Sequence, residues 1–254
     1  MRLKAAALSD IGCVRSRNED SYLLDDDARI YIVADGMGGH AAGHVASRLC
    51  VDTIRQVLLT EEDPNVAVSD SELIPGADVL VPERLRYAIN RASQRIQEEA
   101  EVKPGLHGMG TTVVMVAVDS DILYVAHVGD SRAYAHDGTQ LRRITSDHTW
   151  VTEQIQAGLL TEDEGESSQF KNLLTRSVGF EHQVDADTDQ FPLKSPCRFL
   201  LCSDGLTNMV QEDEIATAMT RYENPEQTAR TLVDLALERG APDNVTVLLL
   251  YIEV

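Results

Sequence analysis

Six short apolar runs punctuate the chain, at residues 30–34, 112–118, 122–128, 133–135, 198–202 and 245–252. Runs of this length, several of them rich in Val, Ile and Leu, predict β-strands. Two longer segments carry the helical period instead, over residues 41–59 and 82–100. In the second, Leu85, Ala88, Ile89, Ala92 and Ile96 fall on one face and Pro82 suits a first turn. Shorter helices are expected at 150–157 and 225–239. The helices come in consecutive pairs and do not follow every strand, so a strictly alternating parallel sheet fits poorly and a layered α+β arrangement fits better. Residues 60–81 mix Asp, Ser, Pro and Gly as an irregular surface loop does, and the acidic, Ser-rich stretch 161–171 after Gly158 reads as a mobile flap. No repeat, low-complexity tail or linker divides the sequence, and residues 1–254 read as one domain with a flap subregion at about 147–180.

Composition acts mainly by exclusion. With 42 acidic against 22 basic residues, the formal charge of −20 repels a polyanion, so nucleic acid is not an expected partner. The acidic surplus serves either solubility or the gathering of carboxylates around cations, and composition does not choose between them. Cys13, Cys50, Cys197 and Cys202 form no C-x-x-C pair and are expected to be reduced core thiols. The N-terminal stretch has too few apolar residues for a signal peptide, and no uncharged apolar stretch reaches the roughly 18 residues of a membrane span. A soluble, cytoplasmic protein with no membrane partner is the expectation.

Asp-Gly occurs at Asp35-Gly36, Asp137-Gly138 and Asp204-Gly205, and by itself the dipeptide marks a tight turn. Asp137-Gly138 lies between two strand-like runs and predicts a hairpin. Asp35 and Asp204 instead follow buried-looking runs, where a carboxylate set at the mouth of a core is placed for catalysis or metal binding. Three glycines follow Asp35 within Asp35-Gly-Met-Gly-Gly-His40, so the backbone there can come close and offer a carbonyl to a hard cation. The spacing is neither that of a Walker loop nor that of a dinucleotide fingerprint. Arg15 is a solvated arginine or a guanidinium fork for a phosphoryl group.

These pieces occur in order with Arg15-Ser-Arg-Asn-Glu-Asp20, Met109-Gly-Thr-Thr112, Gly129-Asp-Ser-Arg132, Cys202-Ser-Asp-Gly-Leu206 and Pro242-Asp-Asn-Val-Thr246. Together they resemble the metal-dependent serine/threonine protein phosphatases of type 2C (PPM family) in their compact bacterial form. The resemblance implies a four-layer αββα sandwich, two mostly antiparallel sheets packed face to face and flanked by helix pairs. It also implies two divalent cations, manganese or magnesium, with Asp35 bridging them, Asp204 and Asp243 completing one and the Gly36 carbonyl the other. Glu19 and Asp20 would anchor the water shell of the ions, and Asp130 with Asp204 would hold a weaker third ion. Family members often carry a His-Pro in the flap, whereas here 165–170 precede Lys171-Asn-Leu-Leu-Thr-Arg176, so flap contacts are expected to differ.

Hydrolysis of a phosphate monoester requires acceleration approaching about 10²¹, whereas general acid/base catalysis supplies roughly 10²- to 10⁴-fold. Cations that acidify water and offset phosphoryl charge supply the difference, which gives the aspartates their purpose. Arg15 would then grip the phosphate oxygens and His40 protonate the leaving oxygen. The partners implied are phosphoproteins and a cognate bacterial serine/threonine kinase, with a monomeric enzyme opposing it. A phosphoprotein-binding pseudophosphatase and a hydrolase of small phosphate esters are the alternatives.

Overall fold

A strand buried on both faces needs a cover on each side, and the chain meets that need by stacking four layers. The computed structural model describes residues 1–38, 42–60, 81–193 and 196–253. Their order is β1 (Arg2–Asp10), β2 (Asp20–Asp25), β3 (Ile30–Met37), α1 (Gly43–Leu59), α2 (Val81–Val102), β4 (Gly110–Thr111), β5 (Val113–Asp119), β6 (Ile122–Val128), β7 (Arg132–His136), β8 (Leu141–Arg143), α3 (Trp150–Gln156), α4 (Glu162–Glu166), β9 (Asp187–Pro192), β10 (Cys197–Cys202), α5 (Asp204–Thr207), α6 (Glu212–Arg221), α7 (Pro225–Glu238) and β11 (Val245–Glu253). One sheet runs β1-β11-β10-β7-β8 and the other β2-β3-β5-β6-β9, with β4 beside β3. All their pairings are antiparallel.

Side-chain alternation along each strand divides the core into three. Tyr31, Val33, Val114, Val116, Phe199, Leu201, Leu248 and Leu250 meet between the two sheets. Ile30, Ile32 and Ala34, one residue out of step, pack instead with Cys50, Ile54, Leu85, Ile89 and Ile96 of α1 and α2. On the far side Val245, Val247, Leu249 and Tyr251 pack with Ile215, Met219, Leu232 and Val233 of α6 and α7. Both faces of β3 and β11 are thus covered, which is why these segments read as unbroken apolar runs without alternation. The result is the αββα sandwich that the resemblance implied.

The predicted face of α2 is buried at all five positions. The turn at Asp137 is a hairpin, with the Asp137 carboxylate accepting from the Thr139 and Gln140 amides and Gly138 at φ 94°. Elsewhere the structure adds elements. β1 reads Arg-Leu-Lys-Ala-Ala-Ala-Leu-Ser-Asp, poor in β-branched residues, and β9 is largely polar; both are drawn into strands by their partners β11 and β6. The stretch 161–171 is not wholly irregular, because Thr161 and Glu164 form a capping box that starts α4. The predicted loop at 60–81 lies outside the described residues over 61–80. Among the described residues no helix is long and apolar enough to cross a membrane.

Ile32, fully buried under the α1/α2 pair, tests the outer core. Ile32→Ala is expected to cost about 2–5 kcal/mol in urea unfolding with an unchanged slope. Val102→Ala, at a position 77% exposed, is expected to stay within about 0.5 kcal/mol of the natural chain.

Candidate metal centre

Antiparallel pairing puts the end of one strand beside the start of the next, and here it gathers acidic residues far apart in sequence. Asp20 opens β2 directly opposite Asp35 near the end of β3. Asp204 follows β10 and Asp243 precedes β11, and these two strands pair through Cys202 and Val247. Asp130 lies in the turn between β6 and β7. All five acidic side chains share one edge of the sandwich: the field at the Asp35 carboxyl group comes from Asp20, Asp204, Asp130 and Asp243 together.

Three glycines permit the approach. A Cβ on Gly36 would lie 2.2 Å from the Gly43 carbonyl oxygen and 2.6 Å from that of Glu19. The Gly36 N–H donates to the Glu19 carbonyl at 3.2 Å, and Gly43 leaves room for the Glu19 carboxylate and the Gly36 carbonyl oxygen. A Cβ on Gly205 would lie 1.9 Å from the Asn244 carbonyl oxygen, so the Asp204 and Asp243 loops also touch through bare backbone. Asn244 ties the N-terminal loop to this pair, accepting from the Glu19 N–H at 2.8 Å and donating to the carbonyls of Ile11 and Arg17 at 2.9 and 3.0 Å. The Met-Gly-Thr-Thr stretch supports Asp35 from the other side. The Asp35 N–H donates to Thr112 Oγ1, while the Thr112 N–H and the Thr111 hydroxyl donate to its carbonyl.

Burial and mutual repulsion set the protonation of the cluster. Burial, then the charges of Asp20, Asp204, Asp130 and Asp243, push Asp35 well above the usual carboxylate range. Burial carries Asp130 up to about 7, with Asp204 and Asp147 adding to it. Asp20 rises to about 6 through burial, although hydrogen bonds from Thr246 and Ser203 oppose the shift. Asp204 is raised by burial and by Asp243, against hydrogen bonds with Asp35 and Asn208. Among the described residues, two carboxylate oxygens, Asp20 Oδ1 and Asp204 Oδ1, are buried with no hydrogen-bond partner. An orphaned buried carboxylate oxygen is costly unless a cation meets it, so this donor set of hard oxygens fits divalent ions of the magnesium or manganese kind.

Arg15 is exposed and donates through Nη2 to Asp243 Oδ2 at 2.6 Å, which places its guanidinium at the rim. His40 lies outside the described residues. Both ring nitrogens of His44 lie 3.2–3.3 Å from Arg17 Nη1. Arg132 of the Gly-Asp-Ser-Arg stretch forks onto Asp147, which also pairs with Arg143, and its charge partly offsets the crowding at Asp130 and Asp204.

A second cluster has no signature in the sequence. His127 and His148 stack at 4.6 Å beside Asp187, and one ligand atom of each of the three lies within 4.8 Å of the others. It is the one trio of the described residues this tightly drawn, and the aspartates are spread more widely. Spacing alone does not make a cation site of it. Arg176 donates to Asp187 at 2.9 Å and lies 3.4 Å from His148 Nε2, so a guanidinium already occupies the position a cation would take. The other nitrogen of His148 accepts from the Gly129 N–H, and His127 Nε2 donates to the Ser146 carbonyl. The cluster ties His148 and Arg176 to β6 and β9, and no local spacing in the sequence links its members.

A face-to-face αββα sandwich with an edge of converging carboxylates defines a metal-centre architecture. The model of the protein phosphatase 2C family matches residues 14–238, and the chain belongs to that family. It is 35% identical over 250 residues to the serine/threonine phosphatase stp of Listeria welshimeri, covering 95% of this chain and 92% of that one. It is 37% identical over 245 residues to the serine/threonine protein phosphatase PstP of Mycobacterium tuberculosis, covering 96% of this chain but only 44% of that relative's length. A crystal structure of the catalytic domain of PstP in complex with two manganese ions superposes with a TM-score of 0.81 at 35% identity, over 99% of both chains.

Asp130 gives a pH test of the crowding. Its ordinary value of 3.8 rises to about 7 in the fold, so the folded state is the one that favours the proton. The penalty of its charge is absent below about 4 and complete above about 7. In EDTA, Asp130→Asn is therefore expected to melt higher than the natural chain at pH 8, with the gain vanishing by pH 4. Equal gains at both pH values would contradict the crowding.

Proposed function

We propose that this chain is a phosphoserine/phosphothreonine protein phosphatase acting through two divalent cations held by Asp35, the Gly36 carbonyl, Asp204 and Asp243. The buried oxygens on Asp20 and Asp204 that have no partner among the described residues, in two side chains whose charges act on a crowded Asp35, carry this reading. The family and the two manganese ions of the PstP structure support it. When bound, the cations supply Lewis-acid charge and an acidified water.

The chain's own groups do the rest. Asp35, Asp204 and Asp243 gather negative charge that favours cations over protons near neutral pH. Glu19 and Asp20 line the same edge and order the surrounding water. Asp130, beside Asp204, completes a place for a weaker third ion. Arg15 has four further N–H groups besides the one on Asp243, and its planar fork orients a phosphoryl group over the carboxylates. His40 is assigned the proton donation to the leaving serine or threonine oxygen. The substrates are phosphoproteins, and the opposing activity is a serine/threonine kinase. Every expected acidic position is present, which favours hydrolysis over mere binding.

Manganese-dependent phosphate release from a phosphothreonine peptide tests the proposal. EDTA is expected to abolish it, and Asp204→Ala and Asp35→Asn to lower kcat/KM by at least about 10²-fold. Equal turnover in all three chains would sink the assignment. Because protons on Asp130 and Asp20 remove negative charge from beside the cations, manganese affinity is expected to weaken several-fold from pH 8 to pH 6, the window those two groups set. Arg15→Lys keeps the charge but loses the fork, and is expected to raise KM for the peptide while leaving manganese affinity within about threefold.

A further inference from the structure

Asp20 belongs to one sheet, yet its carboxylate is held by hydroxyls of the other. Thr246, in β11, donates to Asp20 Oδ2 at 2.6 Å, and Ser203, just past β10, donates to the same oxygen at 2.9 Å. Behind Thr246 stands its register partner Ser9 of β1, with the two hydroxyl oxygens 2.7 Å apart. Behind Ser9 stands Asn18, whose Nδ2 donates to the Ser9 oxygen at 2.7 Å.

Donor and acceptor chemistry gives this series a single direction. The Asn18 amide is oriented by its other end, where Oδ1 accepts from the Asp20 N–H at 3.1 Å. Its nitrogen can only donate, so the Ser9 oxygen accepts there and passes its own proton to Thr246 Oγ1. Thr246 then gives its proton to Asp20, since an ionised carboxylate only accepts. Ser203 is oriented likewise, because its oxygen accepts from the Thr246 N–H at 3.0 Å and its proton is left for Asp20. Oδ2 is thereby served by two hydroxyls, while Oδ1 of the same carboxylate is buried with no partner among the described residues. Thr246 and Ser203 are fully buried, so water does not substitute for either donor.

We infer that Asn18, Ser9, Thr246 and Ser203 are positioning residues: a one-way hydroxyl relay across the two sheets locks the Asp20 carboxylate with one oxygen saturated and the other presented bare to the metal centre. The inference rests on the metal-centre reading above and extends it to residues that touch neither cation nor substrate. Partners that orient a ligand-side group in this way typically change metal affinity by about 10- to 100-fold when removed.

Thr246→Val keeps the shape of the side chain and deletes the hydroxyl, and Thr246→Ser keeps the hydroxyl and deletes the methyl. Calorimetric titration of manganese into the full chain, with melting in EDTA as the check on folding, distinguishes them. Thr246→Val is expected to bind manganese about 10- to 100-fold more weakly than the natural chain, and Thr246→Ser to return within about threefold of it. Ser9→Ala, at a half-buried position further along the relay, is expected to lose about 3- to 10-fold and carries the test if Thr246→Val fails to fold. Natural affinity in both Thr246→Val and Ser9→Ala would overturn the relay while leaving the metal centre intact. Equal losses in Thr246→Val and Thr246→Ser would overturn it as well, since the hydroxyl would not be the cause. A natural chain that takes up no manganese would overturn both readings.

Discussion

Like charges crowded into one half-buried edge repel one another, and that repulsion is the constraint around which this protein is organised. Asp35 stands in the field of four other aspartates, and without cations the cheapest remedy is protonation, which is why its carboxyl group and those of Asp20, Asp130 and Asp204 are all driven upward. A fold that holds such groups together stores a standing demand for positive charge. Arg15 meets part of it at Asp243, and two buried carboxylate oxygens leave the rest unmet.

The sandwich can sustain the crowding because its stability lies elsewhere. Three apolar cores, one between the sheets and one beneath each helix pair, hold the strands in register, and the acidic residues stand just where those strands end. Register then does the positioning: Asp20 is set against Asp35, and Cys202 against Val247, by backbone pairing that side-chain repulsion is too weak to shift. Gly36, Gly43 and Gly205 let the connecting backbones touch where any side chain would drive them apart.

Proximity of ligating atoms is a poor guide to where a cation belongs. The tightest trio among the described residues, His127, His148 and Asp187, is already served by the Arg176 guanidinium and by backbone donors and acceptors, whereas the wider aspartate cluster has buried oxygens with nothing to bind. Satisfied polar groups build structure, and unsatisfied ones mark chemistry.

Much of this was readable along the chain. Apolar runs such as 245–252 and the one-sided pattern of 82–100 carry their own burial, because a strand covered on both faces and a helix covered on one must be apolar there. Asp-Gly after a buried run, and six motifs in order, likewise marked the acidic residues and the family. The Ala-rich β1 and the polar β9 were not readable, since each becomes a strand only by pairing with a neighbour remote in sequence. Nor was the stacked His127–His148 pair, or the path from Asn18 through Ser9 and Thr246 to Asp20, which crosses from one sheet to the other. Local composition thus decided which segments are buried and which residues can carry charge chemistry. Only the closing of the two sheets decided which oxygen of Asp20 is saturated and which is left bare, because a hydrogen bond depends on positions that residues distant in the chain acquire together.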